Sequence, residues 1–296
     1  MKFYLFILTG IIITTCASSN VAQKKGSYED LITAGKDVYF TGMTFDDDID
    51  FTQFNKNLIS EGVYQVRIVS SITFQNCTFN GKVTAYRKDD NSVTLTSFQS
   101  NLSFIGCIFN NDVSFRAASV LGRADFTNAA FFKGASFEEC TFFQNAYFRA
   151  SIYYKELRFQ NTVFMEKANF LNAEFDTTTS FQQATFNGEA QFSSTKFLGY
   201  TDFGLINCHA NFFANYAIFY DRAIFNNGFY NCQADLTNVN FKQCEMMNCR
   251  FFGKTRFLKS SVEQHLSFDN SYFLFGMPDI SSFDPDKLSL AGIGTR

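Results

Sequence analysis

Along most of this chain a large apolar residue, nearly always phenylalanine, returns at alternating steps of five and six residues. The most regular run is Phe164, Phe170, Phe175, Phe181, Phe186, Phe192, Phe197 and Phe203. A helix face recurs about every 3.6 residues and a flat strand every second residue, so neither explains the spacing. Short extended segments joined by corners do, if each segment sends one ring inward before the chain turns. The residue two places before each ring is small: Ala168, Ala173, Thr179, Ala184 and Ala190. Residues two apart in an extended segment point to the same side. One large and one small side chain therefore fill the inside of each face, and the mostly polar residues beside them face outward. The pattern predicts an all-β solenoid with these rings as its core ladder.

The repeating unit has a short and a long half. Short halves read like Phe126-Thr-Asn-Ala-Ala-Phe131 and Phe170-Leu-Asn-Ala-Glu-Phe175. Long halves read like Phe109-Asn-Asn-Asp-Val-Ser-Phe115 and Phe186-Asn-Gly-Glu-Ala-Gln-Phe192. Val120, Tyr153, Leu236 and Met246 take the large position in some units. Asn76, Asn128, Asn161, Asn172 and Asn238 sit two past the large residue in short halves, where a tight turn suits them. Gly122, Gly188, Gly199 and Gly253 sit two past it in long halves, where a corner with positive φ is expected.

This register resembles the pentapeptide-repeat family, in its Phe-rich form with alternating five- and six-residue repeats, over residues 40–275. The family's central large residue maps onto the Phe positions and its small residue onto the Ala, Thr and Cys positions two before them. The resemblance implies a right-handed quadrilateral parallel β-helix. The extra residue in every second face lengthens each coil from the family's usual twenty residues to twenty-two, which implies ten coils. At the ~4.8 Å strand spacing that makes a rod on the order of 50 Å long.

The chain begins with Lys2 and the apolar run Phe3–Ile13, too short to span a bilayer and built like a secretory leader. It ends in Ile13-Thr14-Thr15-Cys16, which resembles a bacterial lipobox with Cys16 as the lipidated first residue of the exported chain. Residues 1–15 are read as the leader and 16–26 as a tether. The expected address is the cell envelope, periplasm-facing or on the outer membrane, with membrane attachment through the lipid. The alternative is a soluble periplasmic or secreted protein. Residues 27–39 are read as an N-terminal cap with a short helix, because Ser27-Tyr-Glu-Asp30 has the form of a capping box and Gly35 follows. The register fades after Phe273, and both prolines, Pro278 and Pro285, lie beyond it. Proline cannot donate to a strand ladder, so residues 276–296 are expected to fold over the last coil or hang free.

Two interruptions break the body. Residues 54–67 form either a loop or an irregular coil. The polar segment Tyr86–Ser92 is expected to be a protruding loop, with Arg87, Lys88, Asp89 and Asp90 as candidate interaction residues, since loops on rigid scaffolds often carry function.

Composition narrows the function. The 25 Lys and Arg against 28 Asp and Glu give a net charge of −3, spread along the chain, so nucleic acid is not an expected partner. Of the 8 cysteines, Cys77, Cys107, Cys140, Cys244 and Cys249 occupy the small inward slot and Cys208 a large one, while Cys232 lies off the pattern. They read as buried free thiols rather than disulfides or metal ligands. The two histidines, His209 and His265, are far apart in sequence, and the acidic run Asp46, Asp47, Asp48, Asp50 reads as a solvated face rather than a calcium site. No catalytic constellation, metal site or cofactor is expected. The expected function is a non-enzymatic cell-envelope scaffold or interaction rod with an unidentified macromolecular partner. The alternative is a binding module for surface polysaccharide. A DNA-mimicking topoisomerase inhibitor and a β-helix carbohydrate-active enzyme rank below both.

Overall fold

The computed structural model describes residues 27–296. The leader, the tether and Cys16 lie outside the described residues. The chain winds into a parallel β-solenoid with four short strands per coil, illustrated by Thr141–Phe142, Ala146–Tyr147, Ile152–Tyr153 and Leu157–Arg158. Equivalent strands of successive coils pair in parallel, 22 residues apart in the regular body, as Ala124 with Ala146, Ala146 with Ala168 and Ala168 with Ala190. One face is a 10-stranded sheet and a second belongs to a 13-stranded sheet. The other two join into an 18-stranded sheet where Ile218–Ile224 runs unbroken around their shared corner.

The interior is built of rings. Phe126 stacks on Phe148 at 5.2 Å, Phe148 on Phe170 at 4.9 Å and Phe170 on Phe192 at 4.7 Å, each pair within 5° of parallel. The eight-residue run of the sequence pattern supplies two consecutive rungs of four ladders. They pair as Phe164 with Phe186, Phe170 with Phe192, Phe175 with Phe197 and Phe181 with Phe203. Neighbouring ladders meet edge to face, as Phe170 does with Phe181 at 5.2 Å and 84°. These offset-stacked and T-shaped arrangements favour the ring quadrupole, adding roughly 0.5–1.5 kcal/mol per pair to area burial.

One coil inverts the large-small order. Cys208 replaces a ring between Phe186 and Tyr230, and Ala214 fills the next large slot, while Phe212 occupies the preceding small slot. Phe212 and Ala214 share an inward side because they are two apart. The ring enters from the other position, edge-on to Tyr230 at 5.6 Å, and core volume is kept.

The two kinds of corner differ from the glycine expectation. Short halves turn through a β-turn in which the fourth residue donates to the first, as Ala173 N–H does to the Phe170 carbonyl at 3.0 Å. The third residue of the turn has positive φ: Asn128 at 58°, Asn161 at 57° and Asn172 at 59°. This is the φ signature of a type II turn, which suits Asn. Gly122, Gly188, Gly199 and Gly253 do not have positive φ. They are glycine because the corner lies against the coil below: a Cβ on Gly122 would sit 2.5 Å from the Ser100 carbonyl carbon, and one on Gly188, Gly199 or Gly253 would overlap the backbone of Glu166, Thr177 or Cys232.

Both ends are closed. Tyr28–Thr33 forms a helix whose N-cap Ser27 accepts from Asp30 N–H while Asp30 accepts from Ser27 N–H, both at 3.2 Å. Tyr28 and Ile32 are buried against the first coil, with Tyr28 edge-on to Phe51. At the other end the tail folds over the last coil, with Phe283 buried against Phe257. After the prolines it adds one more partial coil in register, Leu288 on Leu266 and Gly294 on Tyr272. The large residues lose their spacing there, but Phe283 still covers Phe257, edge to face at 6.0 Å.

The described cysteines are unbridged, and all but Cys232 are buried. Cys140 and Cys249 donate their thiols to the Phe115 and Phe225 carbonyls. Thr162, Thr195, Ser151 and Ser260 also fill the small slot and donate to a buried carbonyl. Burial raises the Cys140, Cys208 and Cys244 thiols well above their ordinary range and Cys249 to about 12. They are neutral, inert core groups. Cys232, off the repeat pattern, stands at the corner slot below Gly253.

Candidate functional site: a strand flap and the groove beside it

The two interruptions fold together. Residues 54–67 contain a hairpin, Lys56–Ser60 antiparallel to Val63–Ile68. Residues 86–92 are not a loop: Tyr86–Asp89 pairs antiparallel with Ser92–Phe98 in a second hairpin. Strands Val63–Ile68 and Ser92–Phe98 then pair in parallel from Val63 with Val93 to Ile68 with Phe98. The result is one four-stranded flap, whose inner strands continue directly into a solenoid face. Pairing holds these polar residues in strands, where isolated sequence reading sees only a break in the register. Gly62 turns the first hairpin at φ 70°, and its carbonyl accepts from Val93 N–H at 2.8 Å.

The flap presents two strand edges. Every residue of Lys56–Ser60 is exposed, including Leu58 at 63% and Ile59 at 53%. Arg87, Lys88, Asp89 and Asp90, the residues singled out in the sequence, lie on the opposite edge and its turn, all exposed. Arg87 pairs with Asp50 at 2.9 Å, tying that edge to the first coil.

A groove of about 490 Å³ runs beside this edge, lined among others by Tyr86, Ser114, Arg116, Glu138, Glu156 and Arg158. Arg116 stands over the Tyr86 ring at 5.4 Å and reaches Glu139 at 2.8 Å and Glu138 at 3.7 Å. Arg158 Nε donates to Glu156 at 3.0 Å. Glu138 and Glu156 are matched by guanidinium groups and Asp112 accepts from Gly134 N–H, so the groove offers ion pairs and hydrogen bonds to a polar chain. It has no nucleophile set beside a base. Sequence reasoning missed it because its members recur 22 residues apart on successive coils and are neighbours only once the coil length is known.

The other sequence candidates stay apart from the groove or are used structurally. Asp46 accepts from Asn80 at 2.6 Å, Asp48 from Lys82 N–H at 2.7 Å, and Asp50 from Thr52 N–H at 2.7 Å. Asp50 belongs to a motif that was not anticipated: an Asp, Asn or Ser between the small and large residues accepts from the amide two residues on. Asp125, Asn169, Asp202 and Asp235 do so for Thr127, Leu171, Gly204 and Thr237. The local signal was the polar residue just before each large one. Among the described residues, no three His, Cys, Asp or Glu side chains gather as a metal would require.

Residues 94–141, 104–152 and 159–206 match the family model described as pentapeptide repeats (9 copies). Over those stretches the chain is similar to pentapeptide repeats. The matched stretches coincide with the most regular coils and leave out the first two, which the flap hairpins lengthen. No curated protein sequence matches the chain. Among solved structures it is similar to a trypsin-treated form of QnrB1, described as a plasmid-mediated fluoroquinolone resistance protein, at 13% identity and a TM-score of 0.19, covering 88% of this chain and 91% of that one.

Proposed function

We propose that this protein is a non-enzymatic pentapeptide-repeat interaction rod of the cell envelope, exported by its leader and held to a membrane by a lipid on Cys16. The flap supports this reading most directly. Two separate insertions converge on one coil pair and build a projecting sheet with two exposed strand edges, one presenting Leu58 and Ile59 and the other Arg87, Lys88 and Asp89. An exposed strand edge is a template for pairing with another chain. The rigid stack behind it fixes where the partner is held, and the residues 16–26 give the reach between membrane and rod.

The test is affinity purification from the native envelope of the full chain beside a variant with both hairpins cut back to tight turns. Recovery of a partner with the first and its loss with the second supports the reading; equal recovery with both removes the flap from it. Membrane partitioning lost on Cys16→Ala supports the anchor, and partitioning unchanged removes it. The DNA-mimic alternative requires a strongly acidic surface. The net charge of −3 does not supply one, and absence of binding to purified gyrase is the expected result.

A further inference from the structure

Near the C-terminal end, the face formed by Phe229–Tyr230, Arg250–Phe251 and Tyr272–Phe273 carries rings on its outside as well as its inside. The inner ladder is complete: Tyr230 stacks on Phe251 and Phe251 on Phe273, both at 4.7 Å. The outer rings are additional to it. Phe229 and Phe252 lie 5.2 Å apart, and Phe252 and Tyr272 6.1 Å apart, inclined at about 60°, and all three are half-buried, so each keeps part of its ring at the surface. The adjoining corner presents a column of exposed asparagines, Asn227, Asn248 and Asn270, each at positive φ. Rings and amides together line two shallow cavities of about 510 and 630 Å³. Arg250 is the only charged residue lining either one. It is exposed and takes part in none of the ion pairs among the described residues.

We propose that this ledge binds an anionic, uronate-bearing polysaccharide. A pyranose ring has an apolar C–H face that covers an aromatic ring and a hydroxyl rim that needs hydrogen-bond partners. The ledge has both complements, partly exposed rings beside amides that donate and accept. A guanidinium with no carboxylate of its own takes the sugar's carboxylate in a charge-assisted pair. The absence of any carboxylate lining these cavities gives the charge match its sign. Successive coils repeat the ring and the amide along the axis, as a polymer requires, with the one guanidinium at the centre. The site is distant in sequence from the flap and stands or falls separately from it.

The test is affinity electrophoresis of the exported chain through gels holding polygalacturonate, alginate or hyaluronate, with dextran and single-stranded DNA as comparators. Retardation by at least one uronate polymer, and less by dextran and DNA, is expected. Phe252→Ala is expected to weaken binding about tenfold, the factor carried by ~1.4 kcal/mol of ring contact. Arg250→Gln is expected to abolish the preference for uronate over dextran, and Phe143→Ala, an outward ring several coils away, to change nothing. Unchanged melting temperatures show that the variants are folded. No retardation by any uronate polymer, equal or greater retardation by dextran or DNA, or indifference to both ledge substitutions would overturn the proposal.

Discussion

Phe181 and Phe203 are 22 residues apart in the chain, yet their rings stack 4.9 Å apart with planes inclined by only 3°. Phe181 also receives the edges of Phe170 and Phe192 at 5.2 Å. Its stability contribution comes from volume removed from water on every side, with stacking as a smaller addition. Phe181→Ala is expected to destabilise by about 3–5 kcal/mol through lost burial and a cavity. Phe132 stacks equally well on Tyr154, at 4.6 Å, but on the outer surface. Phe132→Ala is expected to cost about 1 kcal/mol or less. Urea denaturation of both variants checks the contrast; equal losses would show that stacking rather than burial holds the ladder.

Glycines at the long-half corners answer to space. Gly122→Ala would place a methyl 2.5 Å from the Ser100 carbonyl carbon, and backbone cannot swing aside as a side chain can. A loss of about 1–3 kcal/mol is expected. Gly134 is the matched control, since its added methyl would meet the Asp112 carboxylate at 3.4 Å and the Glu156 carbonyl at 4.0 Å, both ordinary contacts, and Gly134→Ala is expected to stay within about 0.5 kcal/mol of the parent. Thermal melts of the pair decide it.

Asp235 gives the rod an acid-sensitive point. Burial raises its carboxyl pKa, but hydrogen bonds from Thr237, Asn215 and Arg256 outweigh burial and hold it below its ordinary value. A folded pKa below the unfolded one adds stability that is complete above the ordinary carboxylate range, near pH 4, and is lost as pH falls through the folded value. Asp235→Asn keeps an acceptor for Thr237 N–H, as Asn169 does for Leu171, and gives up the charge. The variant is expected to be less stable than the parent by about 0.5–1.5 kcal/mol at pH 7, with the gap closing below pH 4. A gap that stays constant down to pH 2.5 would contradict the assignment.

What the chain's pattern disclosed was whatever repeats locally. Phe170 two after Ala168 announces an inward side, and that inference survives all along the rod. Asn172 announces its turn because few residues other than Asn and Gly accept a left-handed backbone cheaply. Gly188 misled: glycine marks a positive φ and a close approach alike, and only the coil beneath it shows which applies. The flap was illegible because Val63 meets Val93 through a parallel pairing that no local spacing encodes. The groove and the aromatic ledge were hidden for the same reason, since Arg116 and Glu138, or Arg250 and Tyr272, become neighbours only after the chain has wound a full coil.

That winding is the claim on which inside, outside, groove and ledge all depend, and deleting one coil tests it most directly. Removing residues 168–189 joins Lys167 to Ala190, which is also a small inward residue one coil later, so every ladder closes up in register. Removing residues 168–185 instead joins Lys167 to Phe186 and sets two rings too close for a face. Measured by thermal denaturation followed by far-ultraviolet circular dichroism, the whole-coil deletion is expected to keep the β spectrum and a single cooperative melt, while the shorter deletion loses both. A whole-coil deletion that unfolds the protein as thoroughly as the out-of-register one would contradict the account.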